Sequence, residues 1–99
     1  MTQHAHEPRD VRLKRMQMRA WRRGIKEMDL ILGRFADTRL GAMHDADHIA
    51  FDSLLLENDH DLFAWVLGRT PVPPDHAPLI AEIAAFVADD GAVDGAKRA

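Results

Sequence analysis

The sequence predicts an all-α protein, a small single-domain bundle of about five short helices. Three observations predict that class. Apolar residues recur at three- and four-residue spacing along most of the 99 residues. No segment alternates apolar and polar residues with period two, so no half-buried strand is expected. Breakers at Gly24, Gly41, Gly68 and in "RTPVPPD" separate the periodic segments.

Each element follows in turn. Residues 1–8 are polar, contain His4 and His6, end at Pro8, and read as a disordered lead-in. A first helix starts from Asp10, with Val11, Met16 and Trp21 among its apolar positions and arginines elsewhere; Gly24 interrupts or ends it. From Ile25 to about Leu40 the stripe Ile25, Met28, Leu32, Phe35 and Ala36 marks a second helix. Leu30 and Ile31 widen that stripe, as a central helix requires. Gly41 follows where a helix C-cap favours φ > 0. Asp45 is expected to cap a third helix, whose Phe51, Leu54 and Leu55 share one face. Asn58 or Asp59 starts a fourth, burying Leu62, Phe63, Val66 and Leu67 before Gly68 ends it. The prolines of "RTPVPPD" forbid regular helix or central strand. Asp75 and Pro78 suit the opening turn of a fifth helix, with Ile80, Ile83, Ala84 and Val87 inside. The helical domain is thus 9–88, and 89–99 reads as a flexible tail.

Composition excludes several classes. With 46% hydrophobic and 29% charged residues the chain is an ordinary soluble globule. No apolar run approaches the roughly 18–20 residues that cross a bilayer, so no membrane insertion is expected. "MTQHAHEPRD" has no apolar h-region, and its Glu7 and Asp10 argue against a transit peptide. Zero cysteines rule out a disulfide framework, a zinc–thiolate site and a thiol nucleophile, and are compatible with a reducing compartment. Charge is polarised: residues 1–39 hold ten Lys/Arg against five Asp/Glu, and residues 40–99 hold three against eleven. Either the halves complement each other, or a basic face meets an acidic partner.

Little in the chain points to catalysis. There is no GxSxG, HExxH, P-loop or GxGxxG. His44 and His48 have the i, i+4 spacing of paired metal ligands, but no third ligand is fixed, and they read as surface histidines beside a cap. Glu57, Asp59 and Asp61 are close carboxylates that capping and solvation explain. The run Arg12, Lys14, Arg15, Arg19, Arg22 and Arg23 fits either a phosphate contact or a basic helix docked on the acidic half. A small nucleic-acid-binding module is therefore the rival reading, although a pI of about 6.0 weighs against it. Trp65 reads as core. Trp21 is either a staple at the helix corner or a partly exposed anchor.

"WRRGIKEMD", residues 21–29, calls for more than solvation. Glycine inside a helix costs about 0.5–1 kcal/mol relative to alanine. If helical, Arg23 and Glu27 form an i, i+4 pair, which leaves Gly24 unexplained. A tight corner explains Gly24 and leaves its two charged flanks unexplained. A contact surface accounts for all three: a missing Cβ admits a partner, Arg23 offers a planar fork, and Glu27 accepts from donors opposite.

The same residues resemble a known family. "RRGIKEMDLILGRF" is similar to the RGxxE signature of the SdhE-type FAD assembly factors, also called succinate dehydrogenase assembly factor 2, with Met28-Asp29 in place of the usual Leu-Asp. "FDSLLLENDHDLFAWVLG" resembles the family's second block, with His60 replacing the proline between Asp59 and Asp61. The likeness spans roughly Arg12 to Val87. It implies a five-helix, non-enzymatic chaperone that binds the flavoprotein subunit of succinate dehydrogenase, and in bacteria often that of fumarate reductase. It further implies that the factor promotes covalent attachment of FAD to a histidine of that subunit, with no cofactor bound tightly by the factor itself. Carried over by position, Arg23, Gly24 and Glu27 face the partner, flanked by Arg22 and Asp29. Asp59, Asp61 and Trp65 have capping and core roles first and contact second. The compartment implied is a bacterial cytoplasm ahead of the mitochondrial matrix.

Overall fold

The computed structural model describes residues 7–90. Five α-helices follow one another: α1 (Arg9–Ala20), α2 (Lys26–Arg39), α3 (Asp45–Leu54), α4 (Asp59–Val66) and α5 (Ala77–Asp90), with a 3-10 turn at Leu40–Ala42 after α2. Among the described residues there is no strand.

α2 occupies the centre, as its wide apolar stripe requires. Its Met28, Ile31, Leu32, Phe35 and Ala36 are fully buried, and α1, α4 and α5 all pack on it. Phe35 joins the layers. Its ring stacks on Phe51 of α3 at 6.0 Å and meets Phe86 of α5 edge-on at 5.5 Å, geometries that aromatic quadrupoles favour. α1 contributes Met16 and Ala20 to this core, and α5 contributes Ile80, Ile83 and Val87.

The polarised charge closes the bundle. Arg9 and Arg12 of α1 both reach Asp45 of α3, at 3.1 and 2.6 Å. Arg15 forks to Asp52, with both contacts at 2.8 Å, and to Glu7. The Asp52 bond and then the Glu7 bond raise the already high pKa of this guanidinium further. Basic first helix and acidic third helix therefore complement each other within one chain.

Several boundaries differ from expectation. α1 ends at Ala20, and Trp21 caps it, its N–H shared between the Gln17 and Met18 carbonyls at 3.2 Å each. α2 begins only after Ile25, whose backbone is extended. Gly24 therefore lies in a connector between two helices. Gly41 does not stop α2 through a left-handed turn. The helix instead tightens into the 3-10 turn, and among the described residues Gly68 alone has positive φ, at 74°. Gly68 ends α4 by a Schellman motif, with Arg69 N–H on the Ala64 carbonyl at 2.8 Å and Gly68 N–H on the Trp65 carbonyl at 3.1 Å. The cap of α3 is His44 rather than Asp45; His44 N–H donates to Asp47 Oδ2 at 3.1 Å, and Asp45 is left free for the arginines. Within the lead-in, Glu7 is ordered against Arg15 and Pro8 caps α1, while residues 1–6 lie outside the described residues. α5 carries through to Asp90, and the expected tail from 91 onward lies outside the described residues.

Candidate functional site

The connector Trp21–Ile25 turns the chain from α1 into α2, and the α3–α4 loop packs against it. Local chemistry sets the loop. α3 ends at Leu54, whose carbonyl accepts from Glu57 N–H at 3.0 Å as the Ser53 carbonyl accepts from Leu56 N–H at 3.2 Å, and the Leu55 and Glu57 carbonyls are left to the loop. Asn58 caps α4: its Oδ1 accepts from Asp61 N–H at 2.9 Å while its Nδ2 donates to Asp61 Oδ2 at 2.9 Å. Asn58 is thus the capping residue, and Asp61 supplies the capped N–H and braces the Asn58 side chain. Asp59, in the first turn of α4, suits the positive end of that helix.

Arg23 bridges the two helix ends. Its Nη1 donates to the Leu55 carbonyl at 2.7 Å, its Nη2 to the Glu57 carbonyl at 2.6 Å, and its Nε to Asp59 Oδ1 at 2.7 Å. Both side chains of the ion pair are only 11% exposed. Three acceptors at three points of a planar fork are a set that lysine cannot satisfy. The fork expected to face another protein is therefore engaged by its own chain. Arg23 does not pair with Glu27 across a helical turn, because its donors point to the α3–α4 loop and the backbone between them is not helical.

Gly24 has a close neighbour too. Its N–H donates to the second oxygen of Asp59, Oδ2. A Cβ on Gly24 would stand 2.8 Å from that oxygen. The missing side chain thus admits Asp59 of the same molecule, where a foreign partner was expected. Asp29 completes the corner, accepting the Arg23 N–H on Oδ1 at 2.6 Å, so its carboxylate is engaged inside the chain.

The outer surface of the corner is different. Gly24, Glu27 and Arg22 are exposed. Among the described residues, Glu27 and Arg22 have no side-chain hydrogen bond or ion pair. Glu27 sits in the first turn of α2, where a negative charge suits the positive end of the helix. The corner is therefore built in two layers: a half-buried clamp of Arg23, Asp59 and Asp29 beneath, and a bare backbone with a free carboxylate above.

Trp65 is half-buried rather than fully in the core. Its indole tilts against the His76 ring at 5.7 Å, and His76 Nε2 donates to Glu57 Oε2 at 3.0 Å. Trp21 is both staple and exposed edge: it stays 39% exposed, covers Gly33 of α2, and donates from Nε1 to Asp37 Oδ2 at 3.0 Å. His48 is not a surface histidine. It is fully buried, and its partners fix its tautomer: Nε2–H donates to the Leu40 carbonyl at 2.7 Å, and Nδ1 accepts from Arg12 Nε at 3.1 Å. With both nitrogens engaged and His44 outside at the cap, no metal pair forms, and the described residues hold no cluster of three ligands.

The link between Arg23 and Asp59, 36 positions apart, is not legible from local pattern. The one available signal was that each falls in one of the two blocks that carry the family likeness. Gly33 was overlooked as well, an unexplained glycine inside the clearest helix and as anomalous as Gly24.

The Sdh5 family model, described as flavinator of succinate dehydrogenase, matches residues 14–87. The chain is 39% identical over 67 residues to the succinate dehydrogenase assembly factor 2, mitochondrial, of Mycosarcoma maydis, covering 68% of this chain and 28% of that protein. It is 40% identical over 48 residues to the FAD assembly factor SdhE of Legionella pneumophila, covering 48% and 61%. With the protein of the same name from Photobacterium profundum it shares 37% over 67 residues, 67% of this chain and 76% of that one. Against several mitochondrial relatives the chain spans half or less of their length. All of these relatives are named as assembly factors, and none as an enzyme.

Proposed function

The chain belongs to the Sdh5 family of flavinators of succinate dehydrogenase, and from that premise we propose that it binds the flavoprotein subunit of succinate dehydrogenase and promotes covalent attachment of FAD there. The flavoprotein subunit of fumarate reductase is a second client in this reading, and the bacterial cytoplasm is its compartment. FAD remains the partner's cofactor; the assembly factor holds the immature subunit so that flavin and acceptor histidine are aligned. Orientation alone supplies large rate factors when the reacting groups are already present.

The observation that carries the reading is the two-layered corner. A signature motif whose arginine and glycine are locked by Asp59, with Glu27 left unpaired above them, is a preformed contact surface. Its rigidity lowers the ordering cost of association. Gly24 and Glu27 meet the flavoprotein directly, Arg22 lies beside them, and Arg23, Asp29 and Asp59 act from beneath.

The test is co-expression of the flavoprotein subunit with and without this chain, in a host lacking its own factor. In-gel fluorescence of the denatured subunit reads covalent flavin. A clear rise with the chain is expected; equal fluorescence in both lanes contradicts the proposal.

A further inference from the structure

The three acceptors of the Arg23 fork are not anchored alike. Leu55 is the buried C-cap of α3, with its N–H on the Phe51 carbonyl at 3.0 Å. Asp59 stands in the first turn of α4, just behind the Asn58 cap. Glu57 belongs to neither helix, yet its carbonyl meets Arg23 Nη2 at 2.6 Å. A single turn bond, from its N–H to the Leu54 carbonyl at 3.0 Å, holds its backbone from the α3 side.

A second restraint comes through the side chain. His76 Nε2 donates to Glu57 Oε2 at 3.0 Å, across 19 positions of sequence. A carboxylate only accepts, so Nε2 carries a proton whether the ring is neutral or charged, and the bond holds in either state. His76 is buried and is itself set from three directions. Its N–H donates to the Pro73 carbonyl at 2.9 Å, its carbonyl accepts Ile80 N–H at 2.9 Å in the opening turn of α5, and its ring lies against the Trp65 indole of α4 at 5.7 Å. The proline-rich turn before α5 therefore delivers a fixed donor to the α3–α4 loop.

Glu57 is thus tied at both ends, by its carbonyl to Arg23 and by its carboxylate to His76. The bond to His76 is a poor source of stability, because the Glu57 side chain is 39% exposed and exposed pairs add little to folding. It is well suited to restricting motion, since a residue held by backbone and side chain has few conformations left to it. We propose that the Glu57–His76 pair positions the α1–α2 corner: it keeps the Glu57 carbonyl in register with Arg23, and through the Arg23–Asp59 clamp it keeps Gly24 and Glu27 set for the flavoprotein. The inference rests on the functional reading above and adds to it two positioning residues that act through Arg23.

The full-length wild-type chain is compared with Glu57→Ala, His76→Phe and Glu57→Gln. His76→Phe keeps a flat ring against Trp65 but removes the donor, whereas Glu57→Gln keeps an acceptor for it. Hydrogen exchange at Arg23 Nε–H and at the Gly24 amide is followed by NMR, with the amides of the buried Leu32 and Phe35 in α2 as reference. Both corner groups are expected to exchange about tenfold faster in Glu57→Ala and His76→Phe, with the reference amides unchanged and Glu57→Gln within about twofold of wild type. Covalent flavin on the co-expressed flavoprotein subunit is expected to fall roughly threefold or more in the first two variants and to recover in Glu57→Gln. The Glu57→Ala/His76→Phe double variant should be no worse than either single one, since both remove the same bond.

Unchanged exchange at the corner in both variants overturns the inference. So does a rise shared by the α2 reference amides, which marks general loosening of the fold. Faster exchange at the corner with wild-type levels of covalent flavin also overturns the positioning role. A wild-type chain that gives no rise in covalent flavin overturns the functional reading and the positioning role with it; the other contrary results overturn the positioning role alone.

Discussion

Asp59 divides its carboxylate between two neighbours of one motif, giving Oδ1 to the Arg23 guanidinium and Oδ2 to the Gly24 amide. One side chain from the start of α4 thereby fixes both the side chain and the peptide at the α1–α2 corner. Gly24 is required because Asp59 comes so close, and Asp59 can come so close because Gly24 has no Cβ.

Gly24→Ala tests that relationship. The new Cβ meets Asp59 Oδ2 at 2.8 Å, and the oxygen cannot retreat without loosening its bond to the corner. The φ at Gly24 is not positive, so backbone strain plays no part. The expected loss is about 1–3 kcal/mol, as for overpacking elsewhere. In an Asp59→Ala background the same change should cost less than about 0.5 kcal/mol. A double-mutant cycle by urea unfolding reads the coupling; additive losses would refute it.

Arg23→Ala leaves Asp59 and the Leu55 and Glu57 carbonyls without their donor. Breaking a largely buried pair costs roughly 3–5 kcal/mol, a large part of the stability of a small domain. Arg23→Lys keeps the charge but cannot span three acceptors, so it should fall between wild type and alanine. Thermal melts of the three proteins decide this.

Gly33→Ala probes the other glycine. Its Cβ would collide with the Trp21 ring, so the indole must leave its seat and its bond to Asp37. With Trp65→Phe to remove the second indole, Trp21 fluorescence should shift to the red and its quenching by iodide should rise. An unchanged spectrum would show that Trp21 does not rest on Gly33.

The pattern of legibility has a physical basis. The stripe from Met28 to Ala36 identified α2 and its central place because periodicity is a local property of the chain. Asn58 or Asp59 at the start and Gly68 at the end mark α4 for the same reason: caps act within one turn. What lay beyond reach was set by contacts between distant parts of the chain. Arg23 with Asp59, and Arg12 with His48, are each separated by 36 positions. His48 looked like a surface side chain because a polar residue is buried only when partners meet it, and its partners come from α1 and the 3-10 turn. The contact-surface argument at Gly24 places Arg23 outward because the α3–α4 loop that holds its fork is equally distant in sequence.

Asp45 adds a small acid sensitivity to the bundle. The hydrogen bond from Arg12, followed by the charge of Arg12, holds its carboxyl below the ordinary aspartate range. The folded state therefore binds this proton less readily than the unfolded chain. The contribution is complete above about pH 4 and is lost as pH falls through the folded-state value. Wild type should melt higher than Asp45→Asn at about pH 6, with the gap closing as pH falls through and below the ordinary aspartate range. Because Asp45 is largely exposed, the gap should be small and shrink with salt.

Glu27 is the free group that the clamped corner presents, and its charge is what the flavoprotein is proposed to read. Glu27→Gln keeps the shape and removes the charge, at a stability cost of about 0.3–1 kcal/mol from the helix end. Covalent flavin on the co-expressed flavoprotein subunit, measured by in-gel fluorescence, should fall well below wild type while the variant stays folded by circular dichroism. Wild-type fluorescence with the folded Glu27→Gln variant would contradict the claim.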